Sequence, residues 1–125
     1  MFHLFLVALG GAVGASLRHL VNLSALRLAG PNFPWGTMAV NIVGSFAMGV
    51  FIELLARRFN ASSELRLFVA TGMLGGFTTF SAFSLDVAVL WERGQTLPVI
   101  GYTVVSVVGS ILAIFLGLWL ARSAG

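Results

Sequence analysis

Paired glycines and three hydroxyl side chains share the run Gly75-Gly76-Phe77-Thr78-Thr79-Phe80-Ser81, a composition that works against a helix in the middle of an otherwise helix-forming apolar stretch. Glycine weakens a helix, and Thr78, Thr79 and Ser81 compete for backbone hydrogen bonds, so carbonyls and amides here are expected to lose their helical partners. Two further sets of polar residues recur every fourth position: Thr37, Asn41 and Ser45, and Tyr102, Ser106 and Ser110. That spacing lays each trio along one face of a helix. The two faces offer hydroxyl and amide donors without a fixed counter-charge, a lining that favours passage of a permeant species over tight trapping. Phe80 and Phe83 stand three apart just after the glycine run. The edge of a phenylalanine ring carries partial positive charge and can receive a small anion, although a pair at this spacing is also ordinary core packing.

The elements that position these residues follow from composition. With 58% hydrophobic and 9% charged residues in 125, the chain is far from a soluble domain, in which about a quarter of residues are charged. Polar or proline-containing breaks divide it into four stretches near 2–26, 35–56, 65–91 and 97–121, each matching the roughly 20 apolar residues of a membrane span. The first break holds Arg27, Gly30, Pro31, Asn32 and Pro34; the second Arg57, Arg58, Asn60, Ser62, Ser63 and Glu64; the third Glu92, Arg93, Gly94, Gln95 and Pro98. The expected fold is therefore all-α, a single four-helix transmembrane domain over 1–125, with the amino-terminal stretch retained as the first span because more membrane sequence follows it. Trp35, Trp91 and Trp119 fall near span ends, where indole prefers the headgroup level.

Leu65 to Leu74 and Ala82 to Trp91 supply ten residues on either side of the glycine run. Each flank is about 15 Å of helix, half of a roughly 30 Å hydrocarbon core, which puts the predicted break in the third span at mid-membrane. Irregular backbone at that depth must be buried in protein or line a polar cavity. A packing kink relieved by hydroxyls is the plainer alternative. Polar faces on three spans exceed what one small bundle hides, which points to a dimer. The arginines are divided between the two sides, with a mild excess on the side of the termini, so both orientations are compatible with the charge pattern.

The charge pattern and residue types exclude several function classes. Seven arginines and four carboxylates give a formal +3, but the charges lie near span ends, where they reach headgroups rather than nucleic acid. The absence of cysteine removes thiolate metal sites and thiol catalysis, and His3 and His19 are too few and too far apart for a metal cluster. No acid-base pair, activated nucleophile or phosphate loop is visible, so an enzyme is not expected. Arg18 is a candidate for lining an anion-attracting vestibule, with snorkelling to the interface as the alternative. Asp86 is expected to play a hydrogen-bonded structural role, because a bare carboxylate repels an anion.

Three segments, Gly10-Gly11-Ala12-Val13-Gly14-Ala15-Ser16-Leu17-Arg18, Gly36-Thr37-Met38-Ala39-Val40-Asn41, and Gly75 through Ser84, resemble in order and spacing the Fluc (CrcB) fluoride channels of prokaryotes, along essentially the whole chain. The resemblance implies passive export of fluoride across the prokaryotic plasma (inner) membrane by an antiparallel, dual-topology homodimer with two pores and a structural sodium ion at its centre. It implies pore-lining roles for Asn41, Phe80 and Phe83, with Thr37 and Ser81 beside them, and puts Tyr102, Ser106 and Ser110 along a polar track. It makes the backbone carbonyls of Gly75 and Thr78 the sodium ligands. Two departures stand out: Ala82 replaces a threonine common in the family, and Asp86 a glutamate. The alternatives are a small multidrug antiporter, which needs a membrane-embedded carboxylate that the first span lacks, and a non-transporting assembly subunit, which leaves the polar stripes unexplained.

Overall fold

The computed structural model describes residues 1–58 and 62–124, apart from the Arg58 side chain; Asn60 of the second break lies outside the described residues. Helix α1 is Phe2–Ala29 and α2 is Trp35–Arg58. The third span has two parts, α3 over 63–77 and α4 over Phe80–Glu92, and α5 is Thr96–Ala124. Within α3 an α-helical turn (Ser63–Leu65) leads into a π-helical stretch (Arg66–Leu74) and back to a short α-helical turn (Gly75–Phe77). Four segments, Phe2–Ala29, Trp35–Arg57, Ser63–Glu92 and Thr96–Ala124, are long and apolar enough to cross a bilayer. Each helix runs a little beyond the apolar stretch counted from the sequence, because helical hydrogen bonding continues into polar end residues such as Arg27, Arg57 and Arg122.

Glycine sets two of the ends. Gly30, at φ 83°, closes α1 and donates its amide to the Leu26 carbonyl, and Pro31 and Pro34 then prevent the helix from continuing. Gly94, at φ 75°, turns the chain after α4. Both residues have a positive φ, which a side chain disfavours.

Among the described residues of the single chain, more large apolar side chains are exposed than buried. Val104, Val108, Ile111, Leu112 and Phe115 of α5 are all exposed, while the largest fully buried side chains among the described residues are Val40, Leu55 and Tyr102. Such a distribution suits hydrocarbon as solvent, in which association rests on close backbone packing rather than on burial of oily surface. Glycines supply that closeness on two seams. On the α1–α3 seam, a Cβ on Gly14 would lie 2.9 Å from the Phe77 amide nitrogen and would collide with the Met73 carbonyl oxygen. One on Gly76 would lie 2.8 Å from the Gly11 carbonyl oxygen. On the α2–α5 seam, a Cβ on Gly49 would lie 3.0 Å from the Leu118 nitrogen and one on Gly117 3.0 Å from the Val50 nitrogen.

Helices α2 and α5 run in the same direction, since Ile42 meets Gly109, Phe46 and Val50 meet Gly117, and Glu53 meets Arg122. Their polar trios therefore rise side by side. At the far end of the seam, Glu53 accepts hydrogen bonds from both Arg57 and Arg122, the latter at 3.0 Å, which ties the ends of the two helices together.

Gly14→Ala is expected to destabilise the protein by about 1–3 kcal/mol through overpacking of the α1–α3 seam. Gly101→Ala, at a position with nothing within 4 Å, is expected to be neutral or slightly stabilising. Thermal unfolding of both variants in detergent separates the two outcomes.

Candidate functional site

Helical geometry stops at Phe77 and resumes at Phe80. Thr78 (φ −87°, ψ 158°) and Thr79 (φ −153°, ψ 126°) are extended between them. Two extended residues displace a whole set of backbone groups, and the amides of Thr78, Thr79 and Ala82 each have a visible destination. The Thr78 amide and its Oγ1 both donate to the Leu74 carbonyl, at 3.0 Å each, which closes α3. The Thr79 amide, which a continuing helix would give to the Gly75 carbonyl, is donated to Asn41 Oδ1 at 2.7 Å. Asn41 Nδ2 in turn donates to the Thr79 carbonyl at 2.9 Å. The Ala82 amide, which a continuing helix would give to the Thr78 carbonyl, is donated to Thr79 Oγ1 at 3.1 Å, so Thr79 is the N-cap of α4. Arg18 Nε donates to the Gly76 carbonyl at 3.1 Å.

The carbonyls of Gly75, Phe77 and Thr78 are thereby deprived of their regular helical donors, while that of Gly76 takes Arg18 instead. Gly75 lies at the exposed face of α3, where a Cβ would meet only the Ala70 carbonyl oxygen at 3.5 Å. Space for the Thr78 side chain comes from Gly44 of α2, since a Cβ there would collide with Thr78 Cγ2.

Beside these residues lies an open groove of about 280 Å³, lined by Asn41, Ser45, Phe80, Phe83, Ser106 and Ser110 together with Thr78 and Thr79. It brings the α2 and α5 stripes onto one surface. Ser106 Oγ and Ser110 Oγ are buried and have no hydrogen-bond partner among the described residues. A serine in a helix ordinarily returns its hydroxyl to the carbonyl one turn back. Neither does so, although both residues line the groove. The Phe80 and Phe83 rings stand 5.6 Å apart, tilted by 43°. Phe83 is buried, whereas Phe80 is 76% exposed on the single chain.

Three residues expected along the path lie outside the groove lining. Tyr102 is completely buried, with Phe33 edge-on at 5.4 Å, Phe83 at 5.2 Å and its hydroxyl donating to Asp86 Oδ2 at 3.0 Å. Thr37 is buried one turn from Asn41 and lines a second cavity of about 380 Å³ with Asp86, Asn22 and Arg93. Ser81 is exposed, its Oγ 3.4 Å from Thr79 Oγ1. The Tyr102–Asp86 pair thus sits between the groove and the cavity near the α1–α2 connection.

Sequence reasoning missed the two longest-range contacts of the site, Arg18 to Gly76 and Asn41 to Thr79. The first had a signal. Gly10 and Gly14 mark the face of α1 that touches α3, and Arg18, one turn further along that face, reaches the end of α3. The second had none, because an asparagine carries no local sign of which backbone it pairs with.

Thr79→Ala is expected to cost about 1 kcal/mol through loss of the α4 N-cap, and Thr79→Ser to retain most of it. Thermal unfolding of the two variants against the parent checks this.

Comparison with known proteins extends the geometry to a family. The family model described as "CrcB-like protein, Camphor Resistance (CrcB)" matches residues 5–118. A protein of Mesorhizobium japonicum named fluoride-specific ion channel FluC is 71% identical over 123 residues, covering 98% of either chain. Proteins with the same name from Chelativorans sp. and Agrobacterium fabrum are 65% and 58% identical over 123 residues, with the same coverage. A glycine-packed set of four apolar helices carrying this match over almost its whole length belongs to the CrcB-like family.

Proposed function

We propose that this chain is a subunit of a fluoride-selective channel that lets fluoride leave the cytoplasm passively, across the plasma membrane of a prokaryote. The observation that carries the reading is the pair of buried, unpartnered hydroxyls, Ser106 and Ser110, in a groove flanked by Phe80 and Phe83. Fluoride is small and strongly hydrated, so a path through hydrocarbon must replace its water with donors. Serine hydroxyls and ring edges supply them without a fixed cation to hold the ion in place. The names of the relatives give the same ion.

The groove is open on one side, and Phe80 is exposed on the single chain. A conducting path through lipid needs a second wall, which a second copy in the opposite orientation supplies. Two copies related by an axis in the membrane plane make two equivalent paths and bring the interruptions at Thr78–Thr79 together near mid-membrane. The Gly75 and Thr78 carbonyls, deprived of their helical donors, are hard oxygen ligands suited to sodium at that junction. Sodium bound there would offset the carbonyl dipoles of both copies. Asn41 and Thr78 line the groove, Arg18 stands at the end of α3, and Thr37, Ser81 and Tyr102 flank the path.

Purified protein in liposomes is expected to release fluoride rapidly and chloride negligibly; absence of fluoride release from correctly inserted protein rejects the reading. The double variant Ser106→Ala/Ser110→Ala is expected to lower fluoride flux by about tenfold or more without loss of thermal stability, since these hydroxyls make no bond within the fold. Exchange of sodium for a large organic cation such as N-methylglucamine is expected to lower the unfolding temperature of the dimer, read by calorimetry or intrinsic fluorescence.

A further inference from the structure

The Asn41 carboxamide is matched group for group to the backbone of one residue, Thr79. Its Nδ2 donates to the Thr79 carbonyl at 2.9 Å and its Oδ1 accepts from the Thr79 amide at 2.7 Å. Thr79 has the dihedral angles of a strand residue, and the exchange is the one a hydrogen-bonded pair of antiparallel strand residues makes, here with a side chain in place of the second strand. The pairing also fixes which way the carboxamide points. The flipped amide would oppose donor to donor and acceptor to acceptor. Asn41 therefore has both ends of its amide committed to backbone while it lines the groove.

We infer that Asn41 is a positioning residue for the cation site: it holds Thr79 extended, keeps the Thr79 amide away from the Gly75 carbonyl, and so keeps that carbonyl free for a small hard cation. The inference rests on the sodium site proposed for the Gly75 and Thr78 carbonyls. Without the carboxamide, the Thr79 amide and carbonyl have no partner in a setting that penalises unpaired backbone. The nearest remedy is for α3 to continue by one hydrogen bond, from the Thr79 amide to the Gly75 carbonyl, which withdraws that oxygen from the cation.

Aspartate distinguishes this role from direct contact with the permeating anion. A protonated carboxyl has the donor and acceptor that Thr79 requires, whereas a carboxylate has only acceptors and faces the Thr79 carbonyl with the wrong sign. Of the ionisable groups on the surrounding elements, Asp86 of α4 is bonded to Tyr102 of α5 and Arg18 of α1 to the Gly76 carbonyl; the others, His3, His19 and Arg27 of α1, Glu64 and Arg66 of α3, Glu92 of α4 and Arg122 of α5, do not line the groove. On α2 itself, Glu53 lies about three turns away and is paired with Arg57 and Arg122.

The experiment measures sodium-dependent thermal stabilisation and fluoride efflux for the parent, Asn41→Asp and Asn41→Leu, between about pH 5.5 and pH 9. The parent is expected to respond to sodium equally across this range. Asn41→Asp is expected to show the parental sodium response at the acid end and to lose it as pH rises, with fluoride flux falling about tenfold over the same interval. Asn41→Leu is expected to lack the sodium response at both ends, its fold being checked by helix content and by elution as the same oligomer. Three results overturn the inference: a parental sodium response in Asn41→Leu, a sodium response in Asn41→Asp that does not change with pH, or loss of flux in Asn41→Asp at every pH with the sodium response intact. The last identifies Asn41 as an ion ligand. A parent that ignores sodium but conducts fluoride rejects the proposed cation site instead, and a parent that does not conduct fluoride rejects the channel reading.

Discussion

Hydrocarbon provides no hydrogen-bond partner for a peptide group, and the arrangement around Thr78 and Thr79 is the consequence of that constraint. Two extended residues within a membrane-spanning segment displace donors and acceptors that must be satisfied by something other than water. The chain meets the demand with four side chains. Arg18 comes from α1, Asn41 from α2, and the Thr78 and Thr79 hydroxyls from the segment itself. Between them they take the Gly76 carbonyl, both backbone groups of Thr79 and the Ala82 amide, and the carbonyls of Gly75, Phe77 and Thr78 remain without their helical donors. The interruption is thus a specified structure and not a frayed one, because its remaining acceptors are determined by which donors have been used.

Helix packing follows from the same requirement. Arg18 reaches the Gly76 carbonyl only because α1 lies against α3 with almost no side-chain bulk between them, and the glycines at 10, 14, 72 and 76 allow that approach. Asn41 reaches Thr79 only because Gly44, less than one turn further along α2, leaves room for the Thr78 methyl group. In water such seams are supported by burial of apolar area. In lipid they depend on dispersion contacts and on the hydrogen bonds they permit, so the glycine seams and the polar contacts are mutually dependent.

Much of the fold was legible in the sequence because its signals are local. Runs of about 20 apolar residues separated by Pro31, Pro34, Gly94 and clustered charges define the four helices without reference to anything distant. The polar stripes were legible for a similar reason: Asn41 and Ser45, and Ser106 and Ser110, are set on their helix faces by four-residue spacing, and the structure brings these faces to one groove. Which polar residue lies in the groove and which beneath it was not legible. Tyr102 belongs to the same stripe as Ser106, yet its ring fills the space between Phe33 and Phe83 and its hydroxyl is taken by Asp86. Spacing gives the azimuth of a side chain; its size and the distant residues that happen to face it decide its depth.

The contrast between Tyr102 and the two serines also bears on how an ion could move. Along the α2–α5 seam, polar groups change from satisfied to unsatisfied over a single turn: Tyr102 is bonded to Asp86, while Ser106 and Ser110 have buried oxygens and no partner. A buried hydroxyl left unpaired costs about 1–3 kcal/mol, so two of them in succession are a standing cost that an apolar seam would avoid. That cost is recovered only when something enters that accepts their protons, and it returns when the occupant leaves. On the proposed path an anion would be stabilised at these positions by the relief of unsatisfied donors and not by an opposing charge. Stabilisation of this size is enough to offset part of the loss of hydration, and too small to hold the ion as a buried arginine would.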